Sequence, residues 1–247
     1  MMSGQLLEVR GVTKNFGGVQ ALTGVDLSVG RGEVVGVIGP NGAGKSTLFS
    51  VICGIKPTSG SILFKGVDIT GNAACDICHC GIARTFQLTK PFLQLSVRDN
   101  VASAFLFGRG GQKVSGLREA REEAMGVLRE VKLDHRGGAL ASDLLFAERR
   151  RLELARAVAT GPELLLLDEA MAGLSTGEAQ EMLEILAGLR QKYGITLLVI
   201  EHIMKVVMAI CQKIVVLNYG SKLAEGTPEE VARHKEVVAA YLGDEGA

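Results

Sequence analysis

Apolar positions along the 247-residue chain fall into short runs and alternations punctuated by glycine. Residues 6–12, Leu-Leu-Glu-Val-Arg-Gly-Val, alternate imperfectly and predict a strand; Ala21 to Val29 predicts a second, with Gly24 and Gly30 marking turns. Val34-Val35-Gly36-Val37-Ile38 is an apolar run, and Leu48-Phe49-Ser50-Val51-Ile52 follows it after a glycine-rich stretch. Lys56-Pro57-Thr58-Ser59-Gly60 breaks the pattern, after which Ser61 to Phe64 and Gly66-Val67-Asp68-Ile69 predict a hairpin. From Val97 to about Ala159 the texture is helical, and Leu117 to Val131 carries apolar residues at helical spacing among many charges. Gly108, Gly110 and Gly111 form a flexible insert before that helix, and Gly137-Gly138 is expected to end it. Leu164-Leu165-Leu166-Leu167 reads as a buried parallel strand. Gly177 to Lys192 is helical, with Met182, Leu183, Leu186 and Leu189 on one side, and Ile195 to Ile200 and Ile214 to Leu217 are further strands. Strands alternating with helices predict an α/β fold: a mostly parallel sheet, short antiparallel β pieces beside it, and a helical segment inserted between its two halves.

Composition changes this picture little. Twenty-seven basic residues balance twenty-seven acidic ones, so charge argues neither for nor against nucleic acid. No apolar run approaches the roughly 18 residues that span a bilayer, and Met1-Met2-Ser3-Gly4-Gln5 lacks a signal pattern. The expectation is a cytosolic chain that reaches a membrane only through a partner. The five cysteines, Cys53, Cys75, Cys78, Cys80 and Cys211, are an odd number and read as free thiols. Cys75-Asp76-Ile77-Cys78-His79-Cys80 has soft ligands for a metal, but no second Cys/His pair stands at zinc-finger spacing, which favours a cysteine-rich helix.

Chemistry changes it more. Gly39 to Thr47 reads Gly-Pro-Asn-Gly-Ala-Gly-Lys-Ser-Thr between a strand and a helix, the context of a phosphate-binding P-loop. Glycines let the backbone turn several N–H groups toward one anion, and the following helix adds the positive end of its dipole. Lys45 would neutralise the β- and γ-phosphates and the Ser46 hydroxyl would ligate Mg²⁺; Gly39, Pro40, Asn41, Gly42, Ala43, Gly44 and Thr47 complete the predicted cradle. A second motif is the apolar run ending in Asp168-Glu169. Asp168 would hold Mg²⁺ at the C-terminal edge of the sheet, and Glu169 could polarise a water aimed at the γ-phosphate.

With these residues in place, the whole chain resembles the nucleotide-binding subunit of an ATP-binding cassette (ABC) transporter. The resemblance is strongest to the importers of branched-chain amino acids, a group that also takes in urea and short-amide importers. It rests further on Gly81-Ile82-Ala83-Arg84-Thr85-Phe86-Gln87, Arg150-Arg151-Leu152-Glu153-Leu154-Ala155-Arg156-Ala157, Ile200-Glu201-His202, Glu225-Gly226-Thr227-Pro228 and Ala240-Tyr241-Leu242-Gly243. It implies a single ABC ATPase domain with a core over 1–88 and 160–247 and a helical subdomain over about 89–159. Gln87 matches the Q-loop glutamine, which meets Mg²⁺ or the attacking water; His202 matches the switch histidine; Phe16 matches the aromatic that stacks on adenine, with a buried core phenylalanine as the competing reading. Pro91, Phe92, Leu93 and Val97 would line a groove for a permease helix or else pack the insert. ATP and Mg²⁺ are the implied cofactors. The implied partners are a second ABC ATPase subunit, membrane permease subunits and, indirectly, a solute-binding protein, without nucleic acid, at the cytoplasmic face of the inner membrane.

The sequence departs from the family where one subunit serves its partner. The signature Leu-Ser-Gly-Gly-Gln is here Leu144-Leu145-Phe146-Ala147-Glu148. Leucine cannot donate to a phosphate, Ala147 hinders close backbone approach, and a carboxylate repels phosphate unless neutralised. Arg149-Arg150-Arg151 either restores positive potential or starts a solvated helix, the second being favoured for at least two of the three. Ala170 replaces a usual proline, Ser175 a frequent D-loop aspartate, and Ile203 a common aspartate. These departures favour an asymmetric heterodimer, with a homodimer as the alternative pairing. An export ATPase of the lipopolysaccharide type and an ATP-gated module with little hydrolysis are the alternatives.

Overall fold

The computed structural model describes residues 4–87, 89–108 and 114–242; Gly110, Gly111, Gly243 and the first three residues lie outside the described residues. Two compact units divide the chain, one of residues 1–74 with 196–247 and one of residues 75–195.

In the first unit, β1 (Gln5–Phe16) and β2 (Val19–Gly30) form an antiparallel hairpin that buries Leu7, Val9 and Val12 with Leu22, Val25 and Leu27. β1 continues past the predicted end at Val12, because Lys14, Asn15 and Phe16 pair with Leu22, Gln20 and Val19. Its polar side chains hide it from an alternation test. Gly24 does not mark a turn: it lies inside β2 at φ 57°, donating its N–H to Thr13 Oγ1 at 3.0 Å, and absorbs a register shift. β4 (Ser59–Phe64) and β5 (Val67–Asp68) complete the sheet in the order β2-β1-β4-β5.

The nucleotide-loop strand β3 (Val34–Ile38) runs parallel between β8 (Thr196–Ile200) and β9 (Lys213–Asn218). Every residue of β3 and β8 is buried, which is why both read as unbroken apolar runs. β10 (Ser221–Gly226) pairs antiparallel with β9. Helix α1 (Lys45–Ile52) follows the loop; α7 (Met204–Ile210), α8 (Pro228–Arg233) and α9 (Lys235–Leu242) lie later in the chain. Thr227 caps α8: its Oγ1 accepts from Glu230 N at 3.3 Å, and Glu230 Oε2 accepts from Thr227 N at 2.8 Å.

The second unit comprises α2 (Ala74–Cys80), β6 (Ile82–Arg84), α3 (Val97–Phe107), α4 (Leu117–Glu130), α5 (Phe146–Ala159), β7 (Leu164–Asp168) and α6 (Thr176–Tyr193). β6 and β7 are parallel, with Ile82, Ala83 and Arg84 opposite Leu164, Leu165 and Leu166. Fully buried Asn100 ties down the approach to α3, accepting from Phe92 N at 2.8 Å and donating to the carbonyls of Phe92 and Ser96 at 3.0 Å. Helix α4 does not run to Gly137-Gly138. It stops at Glu130 because Lys132 turns left-handed at φ 55° and Leu133 N bonds back to Leu128 O at 2.8 Å, burying Leu133. The cysteine cluster lies on α2, and among the described residues no three His, Cys, Asp or Glu side chains gather to hold a metal ion. No described helix is long and apolar enough to cross a membrane.

Candidate functional site

The glycine-rich loop leaves β3 through Gly39, at φ 149°, where a Cβ would stand 2.1 Å from Leu217 O. It enters α1 through Gly44, at φ 99°, where a Cβ would stand 2.6 Å from Ala21 O. Both positions are closed to any side chain by backbone on either side, so the loop's curvature is dictated by its neighbours. Between them Asn41 and Gly42 are exposed, and Ala43 is buried. Lys45 is almost buried, and its ammonium folds back over the loop, donating to Gly39 O at 2.6 Å and Pro40 O at 2.8 Å. The cation is thus held at the loop by its own carbonyls, where an arriving polyphosphate would take over as counter-ion. Ser46 is exposed at the first turn of α1.

Of two aromatic side chains in the first unit, one is exposed and one is bonded to this loop. Phe16, at the end of β1, is 49% exposed with Lys14 Nζ 4.8 Å from its ring centroid, so it is not the core phenylalanine of the competing reading. Tyr241 on α9 takes a hydrogen bond from the Gly39 backbone N–H; burial, the larger effect, pushes its phenol up and that bond opposes it. His202 is exposed where β8 ends, one residue before the N-cap of α7.

In the second unit the chain leaving β6 runs beside the end of β7. Thr85 N donates to Leu166 O at 2.9 Å, and Thr85 Oγ1 accepts from Asp168 N at 3.2 Å. Arg84 reaches Asp168 Oδ2 at 2.6 Å, with both side chains largely buried. Gln87 donates from Nε2 to Glu169 Oε2 at 2.8 Å. Glu169 itself stands at φ 51°, a left-handed conformation that is uncommon outside glycine and here belongs to the residue expected to orient water. The candidate Mg²⁺ donors, the Ser46 hydroxyl in the first unit and the Gln87 carboxamide and Asp168 carboxylate in the second, are all oxygen, and with its Nε2 bonded to Glu169 the amide of Gln87 has its oxygen left for a cation. Oxygen donors of these kinds suit a hard divalent ion.

The stretch matched to the signature, Leu144 to Glu148, has a structure of its own. Leu145 is 73% exposed at the N-cap of α5, and its N–H donates to Glu148 Oε2 at 2.9 Å. Arg136 Nε at 3.5 Å and His135 Nε2 at 3.9 Å from Glu148 Oε1 also face that carboxylate. Phe146 covers Gly173, where a Cβ would meet its ring at 3.0 Å. The three arginines are not a solvated helix start. Arg149 donates to Leu144 O at 3.0 Å and Ser142 O at 2.8 Å, Arg150 is buried and donates to Phe86 O at 3.2 Å, and Arg151 pairs with Glu181. Successive helical positions point about 100° apart, so each guanidinium finds a different acceptor. Ser175, in place of a D-loop aspartate, caps α6, its N–H and hydroxyl both bonded to Glu178 at 2.8 and 2.7 Å. Arg84 and Glu153 carry no role in the sequence reading; only their partners, Asp168 and the Phe86 N–H, reveal them.

Residues 22–172 match the family described as ABC transporter, and residues 221–247 match that described as branched-chain amino acid ATP-binding cassette transporter. The chain is 40% identical to BraF of Pseudomonas aeruginosa, a high-affinity branched-chain amino acid transport ATP-binding protein, over 98% of its length and all of the relative's. It is equally similar, over the same shares, to LivG of Escherichia coli K12, described in the same terms. Among solved structures it is similar to MJ1267, an ATP-binding cassette of an ABC transporter in its ADP conformation, with a TM-score of 0.87, 32% identity, and 97% and 99% of the two chains covered. By loop, sheet and these likenesses alike, the chain belongs to the ABC transporter ATP-binding family, in its branched-chain amino acid group.

Proposed function

We propose that this chain hydrolyses ATP to drive import of branched-chain amino acids through membrane permease subunits, at the cytoplasmic face of the membrane. The carrying observation is the loop closed on both sides by backbone with Lys45 held at its mouth. The solute class comes from the relatives, whose names describe branched-chain amino acid transport.

The P-loop amides and Lys45 bind the phosphates, and Phe16 supplies the exposed ring for adenine. Ser46, Asp168 and Gln87 would hold Mg²⁺, which would supply charge neutralisation at the phosphates. Arg84 keeps the Asp168 carboxylate oriented. Glu169 orients water and takes up its proton as the oxygen bonds to the γ-phosphorus and ADP leaves with the electron pair of the broken P–O bond. Gln87 holds Glu169 in place beforehand, and His202 donates a hydrogen bond to the γ-phosphate. The helical insert over about 89–159 carries the contact with the permease. Assembled transporter in vesicles is expected to accumulate labelled leucine, isoleucine or valine only with ATP; hydrolysis without uptake of any of them overturns the solute assignment.

The partner cassette is a different chain. Leu145 stands where the family's signature has a serine hydroxyl, and its N–H is taken by Glu148, so this subunit offers a weak loop while needing a good one. Replacing the catalytic glutamate of each cassette separately tests the asymmetry: unequal single-turnover losses support it, and equal losses exclude it. Background turnover in the full assembly would instead favour an ATP-gated module.

A further inference from the structure

Helix α5 does more in the second unit than follow the signature loop. Its residues at positions 150, 153 and 156 share one face and reach the backbone on both sides of Gln87. Glu153 Oε1 accepts from Phe86 N at 2.6 Å, while Arg150 donates to Phe86 O at 3.2 Å. Arg150 also lies 3.8 Å from Glu153. Three residues beyond Gln87, Arg156 donates to Lys90 O at 2.8 Å, with its guanidinium 4.8 Å from the Phe92 ring centroid. Both backbone polar groups of Phe86, the residue immediately before Gln87, are therefore satisfied by side chains of one helix.

Glu153 is 9% exposed and Arg150 6%. An apolar pair of similar volume would stabilise such a place as well or better, so the ion pair is an expensive way to fill it. What the ions add is direction: a carboxylate and a guanidinium fix a peptide segment through directed, charge-assisted hydrogen bonds, which aliphatic packing cannot supply. The opposite edge of the same segment is pinned to β7 through Thr85 and Arg84. Gln87 is the first side chain beyond this clamp, and it meets Glu169.

We propose that Glu153, together with Arg150, is a positioning residue for hydrolysis: by fixing Phe86 it sets where the Gln87 carboxamide meets Glu169, and so ties the placement of helix α5 to the readiness of the attacking side. This inference rests on the ATPase reading above. It gives the signature helix a second task, within its own subunit, that survives the loss of the signature itself.

The test compares full-length Glu153→Ala and Glu153→Gln with wild type, by hydrogen exchange at the Phe86 amide, ATP affinity, and kcat and KM in the assembled transporter. Glu153→Ala is expected to raise Phe86 exchange about tenfold or more, since a buried bond becomes a local opening. It is expected to lower kcat about tenfold to a hundredfold with KM and ATP affinity nearly unchanged, the mark of misplacement rather than lost binding. Glu153→Gln keeps an acceptor and is expected to recover most of both. Should Glu153→Ala fail to fold, Arg150→Met removes the other bond to Phe86 and carries the same expectation. Wild type that binds no ATP overturns both readings. Wild type that hydrolyses ATP, with Phe86 exchange and kcat unmoved in the variants, overturns the positioning role alone.

Discussion

Gln87 and Glu169 meet at 2.8 Å, amide nitrogen to carboxylate oxygen, from segments that follow two neighbouring parallel strands. The carboxylate is thereby aimed by a neighbouring side chain. Glu169→Gln keeps the shape but removes the proton acceptor, so steady-state hydrolysis should fall about 10²–10⁴-fold while ATP affinity, read by calorimetry, holds. Hydrolysis near the wild-type rate would assign the proton to another group.

Arg84→Ala leaves Asp168, 3% exposed, without the guanidinium that stands 2.6 Å from it. Breaking a buried pair from one side costs about 3–5 kcal/mol. Urea unfolding should show a lower midpoint at an unchanged slope; an unshifted midpoint would mean the pair contributes nothing to the fold.

Repairing the signature should raise turnover at the other cassette's nucleotide. Leu145→Ser with Ala147→Gly and Glu148→Gln restores a hydroxyl, a close backbone approach and a neutral side chain at the start of α5. One added donor to a developing phosphate charge is expected to give about a tenfold gain in the assembled transporter. No gain would show that the eroded loop does not limit the rate.

Two buried or paired carboxylates give opposite pH dependences. Burial raises the Glu153 carboxyl, opposed by Phe86 N–H, Arg150 and Arg156; the folded state therefore holds this proton more tightly than the unfolded one, and its contribution to stability is lost as pH rises above the ordinary glutamate range. Arg121 lowers Asp99, whose contribution is present at neutral pH and is lost as pH falls below the ordinary aspartate range. Denaturant melts against pH should lose the first trend in Glu153→Gln and the second in Asp99→Asn. Parallel curves for wild type and either variant would assign the trend to other groups.

The buried parallel strands were legible because burial on both faces writes itself as an apolar run: Val34–Ile38 and Leu164–Leu167 needed no context. β6 was not, because three residues are too few for a period, and α8 announces itself only through a cap. The P-loop reads from its glycine, lysine and serine spacing between a strand and a helix, although the backbone that closes on Gly39 and Gly44 comes from Leu217 and Ala21, both outside the loop. The clamp on Phe86 could not be read: Glu153 lies 67 positions away, and nothing local marks a glutamate in a helix as a backbone acceptor. Distance also hid the acceptor of Arg150, 64 positions away, while those of Arg149 are near but are carbonyls, groups every residue carries.

The left-handed backbone at Glu169 carries an evolutionary cost. Glycine would relax that conformation, by about 1 kcal/mol or more, while abolishing the carboxylate. A library sorted only for heat resistance would therefore enrich a sturdier, inert cassette. Thermostabilising this protein calls for holding that one codon fixed.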